Sequence, residues 1–431
     1  MSRLFSLGRR TFSALSIPNF RRYFAGQAIS LIGTWMQSVA QSWLVYVLTH
    51  SATDLGLAVA LQTLPVLVLG SYGGVIADRV DKRRLMVILQ AAMGVQALVL
   101  GILTVTHVIR IWEIFVLAVI LGLNNTFENP ARQAFVLEMV GADQVRNAVS
   151  LNSTLFNAAR AVGPAVAGLL IATVGVGICF LLNAVSFIAV VFSLMTMDKA
   201  LLRPSPPAGR AKGQVREGFR YVARTPRLLI PLIMMALVGM LAYEFQVVLP
   251  VVAKGVFHGG PETYGFLTAA MGLGAIFGGL VTAARGQTGL RPFTIAAGAL
   301  GLAMALAAFS PGRSLELVAL GVVGYASVSF LATGNTTLQL EADPSMRGRV
   351  MSLWAIAFLG TTPIGGPLLG WIVATSSGRV GLAVGAASCI AAAGIGGVTV
   401  WKATTLKRQR TRKAASPIGV SAVLSTEVTE A

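Results

Sequence analysis

Four charged residues stand where a charge is hardest to keep. Glu128, Arg132, Arg160 and Glu244 each fall inside long apolar runs, and a charge at bilayer depth is costly unless it faces protein or water and finds a partner. Two chemistries follow from these residue types. A buried carboxyl group can take up and release a proton, and a guanidinium can hold that carboxylate or change partners when a proton or cargo arrives. Arg160 lies fourteen residues into its run, about 21 Å along a helix axis, too deep to reach the membrane surface. The run before it is antiparallel, which makes Glu128 the expected neighbour of Arg160, while Arg132, one helical turn from Glu128, competes for the same carboxylate. An exchanging set would be a charge relay, and a locked set would be structural; both readings stand. Glu244 is a second acid in the other half of the chain, with Gln246 turned about 200° away from it around the helix.

A second pattern concerns hydrogen bonding. Gln27, Ser30, Thr34, Gln37 and Gln41 recur at spacings of 3, 4, 3 and 4, which places them on one face of a helix. In lipid such a stripe must face another helix or a watery cavity. Asn124, Asn125, Gln246, Asn335 and Gln339 are further candidates to line that cavity. Trp35, Phe127, Tyr243 and Phe245 suit an amphipathic or aromatic cargo, or plain packing.

The elements that must carry these residues are apolar helices. Of 431 residues, 55% are hydrophobic and 12% charged, against about 25% charged in soluble domains. Runs of about 20 apolar residues predict an all-α integral membrane protein with twelve transmembrane helices. The expected organisation is a basic N-terminus over 1–22, six helices over 23–197, a linker over 198–226, six helices over 227–402 and a disordered tail over 403–431. Lys and Arg number 34, giving a net charge of +18, and 29 of them fall on one side when alternate turns are assigned to opposite faces. That bias puts both termini in the cytoplasm. The basic residues therefore follow membrane topology and anionic inner-leaflet lipids rather than nucleic acid. The basic start has no separate apolar region of the signal-peptide kind, so the first helix is expected to remain as an anchor. Cys179 and Cys389 fall within spans and read as small apolar residues.

The halves resemble each other. Ser150, Leu151, Gly163 and Gly168 return as Ser352, Leu353, Gly365 and Gly370, each 202 residues later, as expected of a duplicated bundle. Gly163, Pro164 and Gly168, with Gly365, Pro367 and Gly370, are the expected hinge and packing positions, since small residues permit close helix approach and proline loosens a membrane helix. Within the linker, Val215, Phe219 and Val222 share a helical face, and a short interfacial helix or a solvated basic segment both fit.

The stretch Gly73–Arg84, GGVIADRVDKRR, sets six charges between two apolar runs. It resembles the signature turn of the major facilitator superfamily, with Gly74, Asp78, Arg79 and Arg83 on matching positions and Asp81 where that pattern has glycine. NFRRYFAGQAISLIGTWMQSVAQSWLVYVLT at 19–49, NPARQA at 129–134 and RGRVMSLW at 347–354 extend the resemblance to the branch of the enterobactin exporter and macrolide efflux proteins, and GPAVAG at 163–168 partly resembles the fifth-helix motif of drug/proton antiporters, without that motif's paired terminal glycines. The resemblance implies two six-helix bundles, alternating access and proton-driven export of a siderophore, macrolide or other amphipathic compound from the plasma membrane, by a monomer that needs no cofactor beyond the proton gradient. It also implies a gate, in which Asp78 caps the eleventh helix and Arg79 and Arg83 pair with Glu138. Uptake by proton symport uses the same fold and is the alternative. A receptor or scaffold on this fold is a further one.

An enzyme is not expected. His50, His107 and His258 fall at span ends without metal-ligand spacing, and there is neither a nucleophile elbow nor a phosphate-binding loop.

Overall fold

The computed structural model describes residues 12–203, 214–344 and 346–414, and those residues are helical almost throughout. After a 3₁₀ turn at Ser13–Ser16, α1 (Pro18–Thr49), α2 (Ala52–Arg79) and α3 (Lys82–Val105) follow with turns of a few residues. A continuous helical run, Ile111–Val174, is broken once, at Gly141, where φ is 73°; we call its parts α4 (111–140) and α5 (142–174). Only glycine enters that backbone region without steric cost. The two helices meet end to end, and the backbone N–H of Arg203 donates to the Glu138 carbonyl at 2.9 Å beside the break.

The first half closes with α6 (Val176–Met195), and α7 (Gln214–Ala223) is a short helix within the expected linker. The second half holds α8 (Pro226–Leu241), α9 (Phe245–Val251) with a π-helical turn at Val252–Val256, α10 (Pro261–Arg285), α11 (Leu290–Ala308), α12 (Arg313–Glu341), α13 (Arg347–Leu359), α14 (Thr362–Thr375) and α15 (Gly378–Ala414). The apolar stretches 226–256 and 347–375 are each interrupted, at 242–244 and at 360–361. The two breaks pack on one another: Gly239 lies against the carbonyls of Ala357 and Phe358, and Gly365 against Met240.

Among the described residues, ten helical stretches are long and apolar enough to cross a membrane. The 32-residue α1 is not one of them, although it is long enough. Its amide and hydroxyl stripe lowers its mean hydropathy.

Packing is mainly within each half, with α2 and α1 on the α4–α5 run, α3 on α6, α10 on α12, and α11 on α15. Two seams join the halves, α2 with α14 and α5 with α10. Glycine makes both close. A Cβ on Gly168 would stand 3.1 Å from the Cα atoms of Glu262 and Gly265, and one on Gly366 would stand 2.9 Å from the Gly56 carbonyl. Gly370 meets Ala52 and Thr53, Pro164 and Pro367 lie at these crossings, and Gly163 instead packs on Ile32 and Trp35 of α1. The seams, with the stacked pair Trp43–Tyr264 at 6.3 Å, lie toward the molecular end marked by His50, His107 and His258. These three histidines are the non-glycine residues with positive φ among those described.

Candidate translocation site

A cavity of about 190 Å³ lies between α1, α2, α3, α4, α5, α6 and α9. Its polar wall is all amide and hydroxyl, with Thr34, Gln37, Gln41, Gln96, Asn183 and Gln246 prominent, and its apolar wall includes Trp35, Met93, Phe156 and Phe187. The amides hold one another in place. Asn183 Nδ2 donates to Gln37 Oε1 at 2.6 Å, Gln37 Nε2 donates to Gln96 Oε1 at 3.0 Å, and Ser186 Oγ donates to Asn183 Oδ1 at 2.9 Å. Across the halves, Gln246 Nε2 donates to Ser38 Oγ at 2.8 Å.

Of the residues expected to line a cavity, Thr34, Gln37, Gln41, Asn125 and Gln246 do so. The others fall elsewhere. Gln27 donates to the Tyr23 hydroxyl at 2.8 Å, Ser30 is buried and gives its carbonyl to Thr34, and Asn124 donates to the Ile120 carbonyl at 3.0 Å. Gln339 donates to Asn335 within α12. A helix of 32 residues runs about 48 Å, so one stripe outlasts any single cavity and its lower part is absorbed by packing.

The charged residues do not form the set expected for them. Glu128 Oε1 receives Arg132 Nε at 3.0 Å and Gln90 Nε2 at 3.4 Å, so the local competitor one turn away holds the carboxylate. Arg160 stands apart, its guanidinium 5.8 Å from the centre of the Trp35 ring. Trp35 in turn meets Phe156 edge-on at 5.5 Å, and both rings are cavity walls. Glu244 is 3% exposed and sits in the break before α9, its carbonyl accepting from Val247 and Val248. Its Oε1 has no hydrogen-bond partner, and the carboxyl group is bordered by Thr362 and Gly366 of α14.

The sequence pattern of transmembrane secretion effectors matches residues 9–426. The chain belongs to the transmembrane secretion effector family of the major facilitator superfamily. It is 26% identical over 364 residues to the MFS-type transporter YfiS of Bacillus subtilis, covering 81% of this chain and 86% of that one. It is 26% identical over 355 residues to the enterobactin exporter EntS of Shigella boydii, covering 82% and 85%. In fold it is similar to the nucleoside transporter NupG, with a TM-score of 0.70 at 15% identity over 88% of this chain and 98% of that one. This transmembrane secretion effector is thus a multi-pass transporter of the plasma or inner membrane that carries a small molecule, and its family and relatives are transporters rather than enzymes.

The gate expected in such a transporter is placed differently from its sequence reading. Gly74 and the Asp78 side chain lie outside the described residues. Arg79 is exposed. Arg83, expected on Glu138, donates instead to the carbonyls of Leu194 and Met195 at 2.7 and 2.8 Å. Lys82 takes Glu138, Nζ to Oε1 at 2.8 Å. The reason is helical phase. Asp81 caps α3 by accepting from the Arg84 N–H at 2.9 Å, which leaves Lys82 buried toward α4 and Arg83 directed at the end of α6. Sequence reading passed over two further polar residues. Gln96 and Asn183 hold the amide network together, and each was visible as an amide deep in an apolar run.

Proposed function

We propose that this protein exports a small amphipathic molecule in exchange for protons, by alternating access to the amide-lined cavity, with twelve crossings arranged as two six-helix bundles and both termini in the cytoplasm. Splitting the long run at Gly141 and adding α1 to the ten apolar stretches supports twelve crossings. The positive-inside bias then makes the histidine end the outer one. With the seams closed there, the cavity is poised to exchange with the cytoplasm, where an exporter collects its cargo. The enterobactin exporter among the relatives favours the outward direction.

Glu244 carries the coupling. It is an acid buried in the break of α8 and α9, with one oxygen lacking any donor, directly behind the point where Gly366 of α14 meets Gly56 of α2. Opening that seam would admit water to the carboxyl group, so its two protonation states favour different conformations, and linkage ties proton binding to opening. Everted vesicles should accumulate a catecholate siderophore or macrolide only under an imposed proton gradient. A Glu244→Gln variant should keep cargo exchange across proteoliposomes without a gradient and lose gradient-driven accumulation. Full gradient-driven transport by that variant would remove Glu244 from coupling, and accumulation by intact cells instead of everted vesicles would reverse the direction to uptake.

A further inference from the structure

Among the described residues Arg160 meets no acid. Glu128 is held by Arg132 and Glu138 by Lys82, while Glu244 borders Gly366 of α14. Glu316 lies at the histidine end beside Arg379. Of the five N–H donors that a guanidinium carries, none from Arg160 meets an acceptor among the described residues. Its guanidinium lies over the Trp35 ring and near Tyr243, whose hydroxyl donates its own proton to the Ser327 carbonyl at 2.8 Å. The residue is only partly buried.

The surroundings describe what would complete it. Trp35 and Phe156 meet edge to face and both belong to the cavity wall, so the cation stands at the rim of a pocket with two aromatic walls and an amide floor. A guanidinium presents paired donors that match the two oxygens of a carboxylate. In the reduced dielectric at this depth, a cation attracts a complementary anion more strongly than it would in water. A cationic cargo would be repelled, and a neutral one would leave the guanidinium uncompensated.

We propose that Arg160 is the cargo anchor, binding an anionic oxygen group, a carboxylate or an ionised phenol, carried on an aromatic ring that packs against Trp35 and Phe156. This gives Arg160 a role in selecting cargo in place of the proton relay read from the sequence. The proposal rests on the cavity being the cargo site but not on the direction or coupling of transport, and an equilibrium measurement separates the two.

Radiolabelled salicylate and its neutral analogue salicylamide share ring and size and differ in charge. With the purified full chain in detergent and no gradient present, salicylate should bind about tenfold more tightly than salicylamide, the factor expected of one charge-assisted contact. Arg160→Gln should abolish that preference. Arg160→Lys keeps the charge but loses the fork, so it should retain part of the preference, and it serves as the test if the glutamine variant does not elute as a folded monomer. Equal binding of the two probes to the unmodified protein, no saturable binding of either, or a preference that survives Arg160→Gln would each overturn the assignment.

Discussion

Lys82 and Glu138 meet at 2.8 Å with side chains only 7% and 8% exposed, a burial rarely granted to a lysine. Removing one member of a buried ion pair costs on the order of 3 kcal/mol. Lys82→Met should therefore lower the midpoint of thermal unfolding in detergent, whereas Lys82→Arg should restore most of it and Arg83→Met should cost less, because Arg83 serves two carbonyls at the surface end of α6. Equal midpoints for Lys82→Met and the unmodified protein would mean that the pair is not a stabilising contact. The sequence made the basic turn conspicuous but could not say which base turns inward. That choice depends on the Asp81 cap, which sets the phase of α3. The buried acids show the same division. Glu128 and Glu244 were visible because apolar residues surround them. Glu316, equally buried at 1% exposure with neither carboxylate oxygen meeting a donor, passed unnoticed because it lies in the first turn of α12, where an acid ordinarily caps a helix.

Helices as elements were the most legible feature, since apolar runs of membrane length admit few other readings. The interruption at 242–244 was not legible, since it ends six residues before Pro250, too far for that proline to place it. The gap at 360–361 ends two residues before Pro363, which stands in the first turn of α14, as expected of a residue that starts a helix and cannot continue one; the segments beside the two gaps pack on each other. The seams are legible only in part. Gly163, Pro164 and Gly168 stood out by their spacing, yet the partner that makes Gly168 necessary is Gly265 on α10, nearly a hundred residues away. A side chain at 265 would meet the Pro164 carbonyl at 2.6 Å and the Gly168 Cα at 2.7 Å, nearer than a carbon can approach. Gly265→Val should thus push α5 from α10 and favour the state that is open at the histidine end. Ser42→Cys, placed on the cavity wall, reports that opening as faster labelling by an impermeant maleimide added outside, against a background in which Cys179 and Cys389 are buried. Unchanged labelling in a well-expressed double variant would show that this seam does not govern access.

At the scale of the whole molecule the duplication reaches beyond the helices to the segments that precede each half. Before α1, the backbone N–H of Ala14 donates to Asn147 Oδ1 at 2.9 Å, and Ser13 Oγ donates to Gln144 at 2.8 Å. Before α8, Glu217 of α7 meets Arg349 at 2.9 Å, and the Tyr221 hydroxyl donates to Asp343 Oδ2 at 2.9 Å. Asn147 and Arg349 differ by 202 residues, the shift that relates the other repeated positions. Each leading segment is therefore tied to the start, away from the histidine end, of the helices that form one seam with the opposite half, α5 in one case and α13–α14 in the other. The linker helix thus belongs mechanically to the second half, and its expected apolar face is divided, with Val222 buried and Phe219 55% exposed. If this tie steadies α13 as the halves rock, reversing one charge should slow transport and reversing both should restore it. The expectation is that Arg349→Glu reduces the initial transport rate, while adding Glu217→Arg recovers it. The Glu217–Arg349 contact is partly exposed, with side chains 60% and 23% accessible, and such pairs contribute about 1 kcal/mol or less, so global stability should barely move. A large loss of thermal stability in the single variant, or failure of the double variant to recover the rate, would show that α7 packs on the second half without steering it.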